Sequence, residues 1–180
     1  NVKADAASTA LPASARPALG ERTTLSVAVR RDNDGNVIAD RLELLSGPLS
    51  AQGKASLTDG TVAAELNGAL AEIAPFAKEA SGAIALALKA SGPLLGPDVA
   101  VTVTSDKLVV ADREITGLKL DATAKADVAT PAADVTLAGN VAREALQGKA
   151  TLKTEGGQKR IDGLTLSLGE NRIAGDLVLD

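Results

Sequence analysis

Residues 54–66 read KASLTDGTVAAEL, and this stretch decides the fold class. Past its turn, Val62, Ala64 and Leu66 alternate with Ala63 and Glu65. A period of two sends successive side chains to opposite faces of a strand, so one face becomes apolar and the other polar. Between the two runs stands Asp59-Gly60. An Asp-Gly pair flanked by alternating segments predicts a two-residue hairpin, because Gly accepts the positive φ of a type I′ turn.

The same rhythm extends both ways. Upstream, Leu25, Val27 and Val29 precede the turn Asp32–Asn36, and Leu42 and Leu44 follow it. Downstream come Ile84, Leu86 and Leu88, then Val99, Val101 and Val103, then Leu118 and Leu120. Val135 and Leu137, then Leu164, Leu166 and Leu168, then Ile173, Leu177 and Leu179 complete the series. Roughly a dozen strands at 8–12-residue spacing predict an all-β chain. Two stretches break the pattern. Residues 1–20 are rich in Ala, Ser and Pro and read as a flexible lead-in to a single domain over 21–180. Residues 69–80, ALAEIAPFAKEA, place Leu70, Ile73, Phe76 and Ala77 at helical spacing around Pro75. They predict a short helical insert with Phe76 filling a corner.

Short motifs recur. QGKASL at 52–57 returns as QGKATL at 147–152, and ITGLKL at 115–120 returns as IDGLTL at 161–166, with IAGDLVL at 173–179 a looser form. Similar strands laid side by side predict a sheet that grows along one axis.

Composition excludes much chemistry. The 180 residues contain no Cys, Met, Trp or Tyr, no His and one Phe. A thiol or imidazole nucleophile system, a disulfide and a zinc-thiolate site are therefore excluded. A net charge of −4 with scattered basic residues argues against nucleic acid. Aligning Asp32–Asn36 to a calcium loop puts Arg30 and Arg41 at the first and twelfth ligand positions, so it reads as a turn. Ser105-Asp106-Lys107 offers no Ser-x-x-Lys dyad, and the carboxylates form no acid/base pair. The expectation is no enzyme, no metal and no cofactor. No apolar run reaches the 18 or so residues of a membrane helix. The first residue is Asn1 and Met is absent, so the chain reads as a processed or excised piece of something longer.

What remains is the apolar face. Alternation assigns to it Val62, Leu66, Ile84, Leu86, Leu88, Val99, Val101, Val103, Leu118, Leu120, Val135, Leu137, Leu164, Leu166, Leu168, Ile173, Leu177 and Leu179. The residues leave two arrangements open. A second sheet can cover this face and make a sandwich. Alternatively the face stays open as a trough for acyl chains, which need no hydrogen-bond partner. A closed core of this size ordinarily uses aromatic volume, which this chain lacks.

The order of elements from Leu49 to Asp180 resembles the TamB family of Gram-negative translocation and assembly module proteins, related to the AsmA-like group. The resemblance rests on LSAQGKASLTDGTVAAELNG (49–68), the insert Ile73–Phe76, SGAIALALKASGPLLGPDVAVTVTSDKLVV (81–110), ITGLKLDATA (115–124) and LQGKATLKTEGGQKRIDGLTLSLGENRIAGDLVLD (146–180). It implies a β-taco, an elongated antiparallel sheet folded lengthwise into a U-shaped apolar groove. It implies a periplasmic protein whose parent is anchored in the inner membrane. Its implied partners are phospholipid acyl chains and the outer-membrane barrel TamA. The implied function is a non-enzymatic conduit for phospholipids that supports outer-membrane protein assembly. A chaperone-like scaffold offering strand edges, or an inert β-solenoid spacer, are the alternatives.

Overall fold

The computed structural model describes residues 2–7, 22–77, 79–127, 130–155 and 157–179, without the side chains of residues 2–7, 22 and 179. The strands are β1 (Val2–Ala7), β2 (Arg22–Arg31), β3 (Val37–Ser46), β4 (Leu49–Thr58), β5 (Thr61–Leu70), β6 (Ala80–Gly82) and β7 (Ile84–Pro93). They continue as β8 (Asp98–Val110), β9 (Arg113–Lys125), β10 (Ala132–Val141), β11 (Glu144–Glu155), β12 (Gln158–Leu168) and β13 (Asn171–Leu179).

All belong to one antiparallel sheet, and each strand lies beside its predecessor in sequence. The exception is β6, which pairs with the far end of β8, beyond where β7 pairs. β1 and β13 end the order without meeting, so the sheet is open. This is the expected all-β, elongated, open antiparallel fold. Most of the described connections are short hairpins, so most pairings are local, as a meander of alternating segments requires.

The Asp59-Gly60 hairpin forms as expected, with φ of 49° and 73°. The Asp32–Asn36 segment is a turn stapled by one carboxylate. Asp32 Oδ1 accepts from Asp34 N at 3.0 Å and Asn36 N at 2.9 Å, while Oδ2 accepts from Asn36 Nδ2 at 2.9 Å.

Two expectations need correction. Part of the stretch read as a lead-in, Val2–Ala7, is a strand paired with β2; residues 1 and 8–20 lie outside the described ones. The helical insert is absent, and no helix occurs among the described residues. Instead Phe76 N and Ala77 N both donate to Ile73 O, which makes a single turn. Pro75 removes a donor there. Glu72 Oε1 then ties the turn to the sheet by accepting from Ala74 N and Gly82 N. Phe76 fills no corner, since its side chain is 53% exposed.

Candidate functional site

Leu86 is a good starting point. Across the sheet, its directly opposed neighbours form one unbroken row: Leu25, Leu44, Ala51, Gly68, Leu86, Val103, Leu120, Leu137, Gly148, Leu166 and Ile173. A second row, two residues further along each strand, runs through Val27, Leu42, Gly53, Leu66, Leu88, Val101, Ala122, Val135 and Ala150. Val99 lies beyond it, among alanines, and Leu177 stands opposite Ile161. Ile84 and Leu118 flank the first row on the other side. At roughly 4.8 Å per strand, ten spacings give a row about 48 Å long.

The register thus brings the sequence-assigned residues together on one face. Val62, Leu164 and Leu168 share it by position in their strands. Leu179 stands opposite Lys159, and its side chain lies outside the described ones. Alternation alone had also passed over members of the same face: Leu49, Leu57, Leu70, Leu108, Leu146 and Leu152. All but Leu108 continue a row already begun, so extending the period to the strand ends would have found them; Leu108 lies five residues after Val103, across the irregular stretch that pairs it with Ile115.

Ile115 and Ile161 need a different signal. Each lies three residues before the next aliphatic, Leu118 or Leu164, yet shares its face. Irregular pairing at Gly117, against β10, and at Gly163, against β13, absorbs the odd residue, with φ of 57° and 60° that suit glycine. The repeat ITGLKL/IDGLTL is therefore a repeated bulge. IAGDLVL has one residue more between its Ile and Leu, and β13 stays regular there.

No described residue covers this face. Among the described residues the only buried hydrophobic side chain is Leu108, at 5% exposure. A closed sandwich would bury these residues by the dozen, so that arrangement is excluded. The surface area agrees: the molecule exposes 11742 Å². A compact globule of 18.0 kDa would expose about 8,000 Å². The aliphatic side chains shield one another only to half-burial, as along β5, where Val62, Ala64, Leu66, Gly68 and Leu70 are intermediate and Thr61, Ala63, Glu65, Asn67 and Ala69 exposed. Toward β13 even that lapses, with Leu166 41%, Leu177 48% and Ile173 70% exposed.

The opposite face is polar and knitted by ion pairs. Glu65 sits between Lys54 at 3.1 Å and Lys89 at 3.8 Å, and these cations hold its carboxyl below the usual range, Lys54 through a hydrogen bond first. Asp121 is lowered likewise, by Lys119 at 2.8 Å and by the Thr102 hydroxyl. The best-formed clefts lie on this face. One of about 500 Å³ is bounded by Ile38, Asp40, Lys54, Ser56, Glu65, Lys89 and Ser91. It opens where small side chains, Ser56 and Ala63, stand between long charged ones, and it holds no nucleophile beside a base. Charged residues reach the aliphatic face only near strand ends, as Arg31, Arg113, Glu144 and Lys159 do. Among the described residues no three His, Cys, Asp or Glu group closely enough to hold a metal ion. Chemically, one face offers uninterrupted apolar contact and the other offers solvated charge. Neither a family model, nor a curated protein, nor a solved structure matches this chain.

Proposed function

We propose that the chain is a non-enzymatic segment of a hydrophobic conduit, whose aliphatic rows carry phospholipid acyl chains between the inner and outer membranes and thereby support outer-membrane protein assembly. The observation that carries this reading is the uncovered aliphatic face, continuous over eleven strands. Length separates a conduit from a pocket. One leaflet of hydrocarbon is about 15 Å deep, half of the roughly 30 Å core. A row of about 48 Å exceeds that roughly threefold.

Energetics point the same way. An acyl chain of roughly 15 methylenes gains on the order of 10 kcal/mol on leaving water, about 0.8 kcal/mol per CH₂. Leaving a bilayer forfeits nearly the same amount, so transfer from membrane to trough is close to neutral. A conduit requires that balance, whereas a tight binder would trap its cargo. The resemblance to the TamB family adds the periplasm, an inner-membrane-anchored parent and TamA as partner to the proposal.

Photo-crosslinking tests it. Photoreactive residues at Leu86, Val101 and Leu166 should capture phospholipid in cells, and those at Lys89 and Lys119 should not. Equal capture from both faces would remove the conduit. Capture of polypeptide with no lipid on the rows would favour a scaffold that offers strand edges to outer-membrane protein substrates.

A further inference from the structure

Arg31, Arg113 and Lys159 stand on the aliphatic face close to strand ends, and all three are exposed. A third row of that face runs from Val29 through Ala64 and Val99 to Ile161. Arg31 and Lys159 each lie two residues beyond it, on one margin. Arg113 lies on the opposite margin, two residues before Ile115. None of the three makes an ion pair with a described residue. On the other face Lys54, Lys89, Lys119 and Lys153 each hold a carboxylate, at 2.8–3.8 Å. Glu144, an acid of the aliphatic margin, turns its carboxylate against Gly169 instead. We propose, on the reading of this face as a lipid conduit, that Arg31, Lys159 and Arg113 seat the phosphate of anionic glycerophospholipids whose acyl chains lie along the strands.

Length and solvation fix that pose. From Arg31 the strand passes Val29 and Val27 to reach Leu25, six residues or about 20 Å away. From Lys159 it passes Ile161 and Leu164 to reach Leu166. An acyl chain fills a leaflet about 15 Å deep, so laid along either strand it starts at a cation and stays over aliphatics throughout. Its phosphate then remains at the margin, in water. A lipid laid along a row would instead press its phosphate onto Leu and Val and lose hydration with no partner in return. Charge decides which lipid gains most. The guanidinium of Arg31 or Arg113 can fork a phosphate, and Lys159 offers a point charge. A headgroup that carries its own ammonium already neutralises its phosphate and gains less. Lipids side by side on successive strands line their headgroups along the margins, which leaves the rows to the chains.

The test mixes the 180-residue chain with phosphatidylcholine vesicles that carry one fluorescent, acyl-labelled probe, floats the vesicles away and measures the probe the protein retains. The probes are phosphatidylglycerol and a diacylglycerol with the same chains and no phosphate. Circular dichroism confirms that each variant folds. The triple variant Arg31→Gln, Arg113→Gln, Lys159→Gln should retain about fivefold less phosphatidylglycerol, since each lipid loses one cation, and as much diacylglycerol as the parent. Arg31→Lys, Arg113→Lys and Lys159→Arg together keep the charge and should keep the phosphatidylglycerol. Lys125 and Lys149 also lack an ion pair with a described residue but stand on the polar face, so Lys125→Gln with Lys149→Gln should change neither probe. Phosphatidylglycerol unaffected by the triple variant, or an equal loss from the polar-face variant, would overturn the proposal. So would competition by inorganic phosphate beyond that of sodium chloride at equal ionic strength, which marks a free-anion site. Retention of neither probe by the parent would sink the conduit and this proposal together, whereas equal retention of both by every variant would sink this proposal alone.

Discussion

The two faces of this sheet share every backbone hydrogen bond and differ only in which residues alternate onto them. On the face of Leu137, neighbours are Leu120 and Gly148; one residue on, Ala138 has Lys119 and Gln147 beside it. The first face excludes charge except near strand ends. The second meets water, and its opposite charges pair across strands. In a globule the apolar face would be hidden and its contribution booked as core. Here it lies open, and the fold is held by strand pairing, by lateral contact within the rows and by the cross-strand pairs. Such a sheet is marginal by area, and that makes each face separately testable.

The largest contrast should come from one charge placed on either face. Leu137→Asp sets a carboxylate among half-buried aliphatics with no cation beside it. We expect a loss of about 2–3 kcal/mol in urea unfolding. Ala138→Asp puts the same group next to Lys119 on an exposed position, and should stay within about 0.5 kcal/mol of the parent. Equal losses would mean that the faces are not chemically distinct in solution.

Next in size is a comparison within one repeated motif. QGK glycines stand on the aliphatic face in β4 and β11. At Gly53 a methyl group would collide with the Glu65 carbonyl oxygen and approach Leu66 Cα to 3.0 Å, both backbone atoms that cannot yield. Gly53→Ala should cost about 2–3 kcal/mol. At Gly148 the nearest atoms are Leu137 Cβ at 3.2 Å and Leu166 Cδ1 at 3.4 Å, so a methyl group fits tightly but without overlap and asks its neighbours to give by only a few tenths of an ångström. Gly148→Ala should cost under about 1 kcal/mol, since alanine also loses less chain entropy on folding. Thermal melts of the pair rank them directly.

Those glycines mark how far the sequence was legible. Strand identity and face followed from a period of two, because an uncovered sheet keeps strict alternation wherever pairing is regular. The irregular pairing near Gly117 and Gly163 hid Ile115 and Ile161, since an odd spacing looks like a change of face. The insert at 69–80 misled for another reason. Its helical spacing was real, but Glu72 and the short β6 capture the backbone groups a helix would need. Two hairpins carried no signal at all. Ala111-Asp112 and Ala142-Arg143 both hold left-handed φ, at 47° and 62° and at 51° and 74°, without a glycine. The adjoining strand pairs impose these turns against local preference, at about 1–2 kcal/mol per residue. Replacing Ala142-Arg143 by Asn-Gly should therefore stabilise the chain by about 1 kcal/mol, whereas Gly60→Ala, in the turn that was legible, should destabilise it by a similar amount.

Acid should act on one face alone. Glu65, Asp121, Asp32 and Glu72 all have carboxyls lowered below their ordinary values, by Lys54, by Lys119, by Asn36 and by the backbone N–H groups of Ala74 and Gly82 respectively. A carboxyl lowered by folding stabilises the fold wherever it is ionised in both states. That contribution is present above the unfolded values of 4.5 for Glu and 3.8 for Asp, and it is lost as pH falls through the lower folded values. Stability should accordingly hold from neutrality to the ordinary carboxylate range and decline below it. None of the four is buried, so the decline should be shallow and should weaken further at high salt, which screens Glu65 from Lys54 and Lys89. Glu65→Gln should flatten this acid limb and leave lipid capture at Leu86 as it was, although the two residues lie in adjacent strands. The middle aliphatic rows hold no titratable group, so a change in capture would mean that charge on one side of the sheet governs contact on the other.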